Sequence, residues 1–122
     1  MIGFQLPTNW LVEQDKVTKY LLNTSHPQGG GKAKFFMAFG FDPAQPVVLA
    51  DALAHHVFTN LPGRHVPQKF GPSRLVFEGP METPDGRIAE VRTVWEITMD
   101  DQARFLTAVP LTRRSRFSDR EG

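Results

Sequence analysis

Apolar and polar side chains alternate most strictly over residues 88–99, which read IAEVRTVWEITM. One face of that segment, if extended, carries Ala89, Val91, Thr93, Trp95, Ile97 and Met99. The intervening residues fall on the opposite face, and Glu90, Arg92 and Glu96 among them are charged. A period of two over this length predicts a long strand with one buried face.

Similar patterns on both sides of that strand predict an antiparallel meander. Residues 74–78 also alternate, and the turn signal Pro84-Asp85-Gly86 separates them from residues 88–99. A third strand is predicted at residues 104–109, between a polar turn at residues 100–102 and Pro110.

The first half of the chain has the spacing of helices. Apolar residues recur every three or four positions in three segments, at residues 16–22, at 32–39, and from 43 or 46 to about 60. Asp15 is a candidate N-cap, Gly40 a helix stop, and Asp42 with Gln45 has the spacing of a capping box. The proline-, glycine- and base-rich residues 62–73 predict a basic surface loop.

These patterns together predict an α+β domain over residues 1–111. Two or three N-terminal helices pack on a three- to four-stranded antiparallel sheet, and residues 112–122 form a flexible basic tail. His56 lies on the apolar face of the longest helix and is expected to be a hydrogen-bonded core residue. The predicted core consists of Leu21, Phe36, Leu49, Leu53, Leu75, Phe77, Val91, Trp95, Ile97 and Phe105.

Composition narrows the chemistry that the chain can perform. The 122 residues include no cysteine, which excludes disulfides, thiolate catalysis and cysteine-based metal sites. A formal net charge of +1 gives no strong global field, so contact with RNA would depend on a local patch. No apolar run approaches the about 18 residues that span a bilayer, and residues 1–5 lack the start of a signal peptide. We therefore expect a cytoplasmic protein without a membrane partner.

Motifs for metals and nucleotides are absent from the sequence. The segment Gly29-Gly30-Gly31-Lys32 lacks the remaining residues of a phosphate-binding P-loop. The adjacent His55 and His56 point about 100° apart on a helix and cannot chelate one ion together. No metal and no cofactor are predicted.

One segment has the composition of an anion site. His26 and Lys32 flank a glycine-rich helix start, where free backbone N–H groups attract negative charge. The alternative interpretation is a flexible connector with a solvated lysine.

Two residues of the predicted sheet could extend that site. The guanidinium of Arg92 can grip a phosphate from a rigid strand, or it can form a cross-strand salt bridge. Thr107, on the neighbouring strand, can supply a hydroxyl beside Arg92 if the register aligns them. Alternatively, it is present only because threonine favours the extended conformation of a strand.

A series of short motifs occurs in order between about residue 5 and residue 111. They are Leu21-Leu22-Asn23, His26-Pro27, Gly29-Gly30, Lys32-Ala33-Lys34-Phe35-Phe36, Gly40-Phe41, Glu78-Gly79-Pro80, Pro84-Asp85-Gly86-Arg87, Val91-Arg92-Thr93-Val94-Trp95 and Leu106-Thr107-Ala108-Val109-Pro110. This series resembles a family of small uncharacterised bacterial domains with an LLN-HP-GG-KA-FF signature. Membership in that family does not indicate which activity the chain has.

The layout also resembles the barnase–EndoU–colicin–RelE class of ribonuclease toxins. Shared features are the leading helices, a His near a helix end, a Lys soon after, and a last strand ending in Thr-Ala-x-Pro. The resemblance implies metal-free cleavage of RNA, in which His26 acts as base or acid. Lys32 and Arg92 would hold the phosphate, and Thr107 would donate to one of its oxygens.

The same resemblance implies further substrate contacts and a partner. Tyr20 is a candidate stacking surface for a base, whereas Trp95 is expected in the core. A toxin of this class normally has a neutralising partner protein. Val109 departs from the class, in which an aromatic residue often stands there. The expected substrate-binding residues are Tyr20, Gly30, Gly31, Lys34 and Arg87.

Two other interpretations stay open at this point. The chain could be a non-catalytic module that binds an anionic ligand or a protein partner through the glycine-rich helix start. It could also be an inert interaction domain in which the motif residues only shape the fold. The placement of His26, Lys32, Arg92 and Thr107 separates the inert domain from both the nuclease and the binding module, because residues more than about 10 Å apart share no site.

Overall fold

A computed structural model describes residues 6–27, 30–98 and 101–111. The predicted tail at residues 112–122 and the strand position of Met99 lie outside the described residues. The helical elements in chain order are α1 (Gln14–Lys16), a π-helical segment that continues it (Val17–Leu21), α2 (Gly30–Ala38) and α3 (Pro46–Thr59). The strands are β1 (Asn9–Leu11), β2 (Arg64–Val66), β3 (Arg74–Glu82), β4 (Ile88–Thr98) and β5 (Gln102–Pro110).

The strands form one five-stranded sheet in the order β1-β5-β4-β3-β2. The α+β class is therefore confirmed, but the expected three or four antiparallel strands were too few. β1 pairs parallel with β5, and the other neighbours are antiparallel. β1 and β2 have three residues each, too short for a period of two to be recognised. β2 also lies inside the predicted loop 62–73, and that part of the loop prediction was wrong.

The three helical segments are confirmed, with corrections at their ends. α1 begins at Gln14, so Asp15 lies inside the helix and forms an exposed ion pair with Lys19 at 3.6 Å. α3 begins at Pro46 with Gln45 as its N-cap. The predicted capping box at Asp42 is wrong, because its carboxylate instead accepts the Ala44 N–H, at 2.8 Å, in the preceding turn.

The buried face of β4 carries the core, as the alternation predicted. Ala89, Val91, Thr93 and Trp95 are each at most 1% exposed. The Trp95 ring packs edge-on against Trp10 and Phe105, with ring centroids 5.2 and 5.3 Å away. All predicted core residues are buried except Ile97, which is partly buried against the same cluster.

His56 joins α3 to the middle of the sheet. Its side chain is fully buried, and Nε2 lies 3.0 Å from the Val91 carbonyl oxygen and 3.2 Å from that of Gly79. Carbonyl oxygens only accept, so Nε2 carries the proton, and Nδ1 accepts the Thr93 hydroxyl at 3.0 Å. The prediction of a hydrogen-bonded core histidine is confirmed.

Burial, which is only partly offset by the two carbonyl contacts and by the charge of Glu90, lowers the pKa of His56. The unfolded chain therefore binds a proton more readily than the folded chain. We expect the free energy of unfolding to fall as the pH drops below about 6.5, by up to about 1.4 kcal/mol per pH unit. Urea unfolding at pH 8 and pH 5 measures this change.

His56→Leu should lose that part of the pH dependence and should already be less stable at pH 8. The substitution leaves buried Thr93 and Val91 groups without their partner, at about 1–3 kcal/mol for each unsatisfied group. His55→Ala is the matched control, since the adjacent His55 is exposed. The same pH dependence in wild type and His56→Leu would contradict this role.

Candidate active site

The candidate site lies where α2 and the π-helical segment meet β5. β1 pairs only with Gln102–Arg104, the first three residues of β5. Farther along β5, Thr107 contacts side chains from the helical layer instead. Three polar groups from three elements converge there.

These groups form a triangle of short contacts. The Lys32 Nζ lies 2.5 Å from the Tyr20 phenol oxygen and 2.9 Å from the Thr107 hydroxyl oxygen. The two oxygens are 2.9 Å apart. An ammonium group only donates, so Lys32 donates to both oxygens.

Two further side chains complete the cluster around Tyr20. The His26 ring packs edge-on against the Tyr20 ring, with centroids 5.0 Å apart. The Lys16 Nζ lies 5.6 Å from the centroid of the same ring, and the Lys32 Nζ lies 5.0 Å from it. We call these five residues, Lys16, Tyr20, His26, Lys32 and Thr107, the Tyr20 cluster. All five are partly buried, so each keeps some surface open to solvent.

An irregularity in the sheet places Thr107. Thr107 is opposite Val94 and Phe105 is opposite Trp95, so Leu106 has no residue opposite it. One extra residue in a strand bends it locally and re-aims the neighbouring side chains. This irregularity lies next to Thr107.

Gly30 lets α2 begin close to the turn that carries His26. A Cβ at Gly30 would lie 2.7 Å from the Thr24 carbonyl oxygen, too close for any side chain. The Gly30 N–H donates to the His26 carbonyl oxygen at 2.9 Å. Gly30 therefore has a packing role here, whereas a Cβ at Gly31 would meet open space.

The charges around Tyr20 change its acidity. Burial raises the pKa of Tyr20, but the hydrogen bonds with Lys32 and Thr107 and the charges of Lys32 and Lys16 outweigh burial. The pKa therefore lies below the ordinary value of tyrosine, and the phenolate forms more easily.

Arg92 does not join the cluster. The register places it opposite Glu78 and Val109, so Arg92 and Thr107 are diagonal rather than direct neighbours. Its Nε donates to the Glu78 carboxylate at 2.5 Å. This is the cross-strand salt bridge that the sequence left open as the alternative.

Two other predicted contact residues also lie apart from the triangle. Arg87 pairs with Asp85 at 2.7 Å and donates to the Ala38 carbonyl oxygen at 2.7 Å. Arg87 thereby joins the β3–β4 turn to the C-terminal end of α2, whereas Lys32 lies near the N-terminal end. Lys34 is exposed on α2, two residues beyond Lys32.

Sequence reasoning missed Lys16 and gave Tyr20 a secondary role. The available signal was their spacing, because residues four apart on a helix are neighbours.

Gln28 and Gly29, within the predicted glycine-rich helix start, lie outside the described residues.

Within residues 6–27, 30–98 and 101–111, no three His, Asp or Glu side chains are arranged to hold a metal ion. Over the same ranges, no helix has the length and apolarity needed to cross a bilayer.

Replacing Lys32 by Ala should raise the pKa of Tyr20, because the substitution removes both a hydrogen bond and a positive charge. Tyr20 is the only tyrosine in the sequence, so the near-ultraviolet absorbance of phenolate reports this residue alone. Lys19→Ala is the matched control: it removes the same charge one residue from Tyr20, but from an exposed side chain. An unchanged pKa in Lys32→Ala would contradict the described contact.

Two comparisons place the chain among known proteins, whereas a search of curated proteins gave no match. A chain in the structure of a contact-dependent growth inhibition toxin–immunity protein complex from Klebsiella pneumoniae 342 has a similar fold, with a TM-score of 0.64. The similarity covers 83% of this chain and 99% of that chain at 17% sequence identity. Residues 7–112 match the family model described as a domain of unknown function, DUF6883. Because that match spans most of the 122 residues, the chain belongs to the DUF6883 family.

Proposed function

We propose that this protein is a metal-independent endoribonuclease of the bacterial toxin type and that the Tyr20 cluster is its active site. The observation that carries the proposal is the meeting of His26, Lys32 and Thr107 around one phenol. These residues come from a turn, a helix and a strand, and they combine a proton carrier, a cation and a hydroxyl donor. RNA cleavage by an internal nucleophile requires this set.

The reaction is attack of a ribose 2′-hydroxyl on the adjacent phosphorus. A bond forms between the 2′-oxygen and phosphorus, and the bond from phosphorus to the 5′-oxygen breaks. A base takes the 2′-hydroxyl proton, and an acid gives a proton to the departing 5′-oxygen. The products are a 2′,3′-cyclic phosphate and a 5′-hydroxyl end.

Lys32 and Thr107 are suited to hold the phosphate. The ammonium has three N–H groups, and its contacts with Tyr20 and Thr107 use two of them. The third can donate to a non-bridging phosphate oxygen, where charge develops in the transition state. His26, packed against the same ring, supplies one of the two proton transfers.

Local charge supports RNA as the substrate. Residues 16–34 contain four lysines, at positions 16, 19, 32 and 34, and no Asp or Glu. This segment brings Lys16 and Lys32 to the cluster, although the whole chain has a net charge of only +1. A local excess of positive charge raises the concentration of a phosphate backbone at the site.

The structural comparison supports a place in a toxin–immunity protein pair, which includes a partner protein. The fold resembles that of a chain from a toxin–immunity protein complex. By analogy, a protein that binds over the Tyr20 cluster would block substrate access.

Purified wild-type protein should cleave total tRNA or a generic single-stranded RNA in excess EDTA and leave 2′,3′-cyclic phosphate ends. His26→Ala should be slower by about 100-fold or more, the usual contribution of one acid–base group. His55→Ala is the matched control, since it removes an exposed histidine of α3. Cleavage products should be analysed by the chemistry of their ends.

Failure of wild type to cleave either RNA would contradict the nuclease. If Lys32→Ala then weakened binding of an anionic ligand while His26→Ala left it intact, the chain would be a binding module instead.

A further inference from the structure

The proposed cleavage needs two proton carriers, and His26 accounts for one. The second must lie within reach of the same phosphate and be able to give up or take a proton. Within the Tyr20 cluster, the phenol oxygen of Tyr20 meets both conditions. It lies 2.5 Å from the Lys32 Nζ, which we place on the phosphate, and 2.9 Å from the Thr107 hydroxyl oxygen.

The contacts of this oxygen fit an acid rather than a stacking surface. Lys32 donates to the phenol oxygen, so the negative charge left after proton loss is already paired with an ammonium group. Lys16 lies over the ring and adds a second positive charge. The pKa of Tyr20 is lowered accordingly, although burial acts in the opposite direction.

We propose that Tyr20 is a catalytic residue, the general acid that protonates the departing 5′-oxygen, while His26 is the base that takes the 2′-hydroxyl proton. This inference rests on the proposed function. The phenol proton moves to the 5′-oxygen as the bond from phosphorus breaks, and Lys32 stabilises the resulting phenolate. The imidazole of His26 becomes imidazolium, so the proton count balances. The shared ring contact between the two residues keeps both carriers at one phosphate.

The groups that face the phenol fix the expected pH dependence. They are Lys16 from α1, His26 from the turn, and Lys32 from α2, with the neutral Thr107 from β5. The acid must hold its proton before reaction, so the rate should fall at high pH as Tyr20 ionises. The midpoint of that fall should coincide with the pKa of Tyr20 measured by absorbance.

A leaving group that needs no acid tests the assignment directly. An RNA with sulfur in place of the bridging 5′-oxygen releases a thiolate, which departs without a proton because it is a far weaker base than an alkoxide. Tyr20→Phe should cleave ordinary RNA about 100-fold more slowly than wild type. It should cleave the sulfur-bridged RNA at nearly the wild-type rate, whereas His26→Ala should be slow on both substrates.

A second variant keeps the oxygen and its contacts, in case Tyr20→Phe folds poorly. Because Tyr20 is the only tyrosine, growth on fluorotyrosine changes this phenol alone. Ring fluorine makes the phenol more acidic, so the fall in rate at high pH should move to lower pH. His55→Ala should leave the rate unchanged, since His55 is an exposed residue of α3.

Three results would overturn the acid role while leaving the nuclease intact. The first is that Tyr20→Phe cleaves ordinary RNA at the wild-type rate. The second is that Tyr20→Phe is folded but cleaves both substrates slowly. The third is a fluorotyrosine protein with an unshifted pH profile. Failure of wild type to cleave ordinary RNA would instead remove the proposed function, and this inference with it.

Discussion

The ammonium group of Lys32 donates to one oxygen from the π-helical segment and to one from β5. This pair of contacts joins α2 to the π-helical segment and to the part of β5 beyond its pairing with β1. It also sets the electrostatics of the site. A phenol that is partly buried would by itself be a weaker acid than in water. The hydrogen bonds with Lys32 and Thr107, together with the charges of Lys32 and Lys16, reverse that tendency. Without Lys32, Tyr20 would lose its contact with an ammonium group, and the site would lack the cation that we place on the phosphate.

The residues that stabilise the fold are largely separate from those of the site. Trp95 and His56 are excluded from solvent, as are Ala89, Val91 and Thr93 on the buried face of β4. The Tyr20 cluster lies at β5 and is only partly buried. Tyr20 also packs against the hydrophobic core, so Tyr20→Phe, which keeps the ring, should change chemistry more than stability. This separation makes the variants of the site interpretable as functional tests.

The sequence predicted the parts of the fold that depend on local periodicity. The alternation over β4 predicted its buried face, and the helical spacing predicted α2 and α3 to within a few residues. β1 could not be predicted, because its three residues pair with a strand about ninety positions later. The pairing of Arg92 with Glu78 likewise depends on the register between β3 and β4, which the sequence does not encode locally.

The candidate site was predicted by residue type but not by geometry. His26, Lys32, Arg92 and Thr107 were expected in one site. The structure brings His26, Lys32 and Thr107 to Tyr20, whereas Arg92 pairs with Glu78 instead. The central position of Tyr20 was missed because an aromatic side chain beside a proposed RNA site suggests stacking. The acid role of its oxygen depends on the Lys32 Nζ, which the fold of the helical layer places 2.5 Å away. That contact is a tertiary one, and residues 12 positions apart on separate helical elements give no periodic signal.

The central claim is that the Tyr20 cluster promotes attack by a ribose 2′-hydroxyl. It is tested most directly by comparing a short RNA with the same oligonucleotide methylated at every 2′-oxygen, under single-turnover conditions in EDTA. Binding should be measured for both. Only the unmethylated RNA should be cleaved, and the methylated strand should be bound and stay intact. Cleavage of the methylated strand, or of neither strand despite binding, would contradict it.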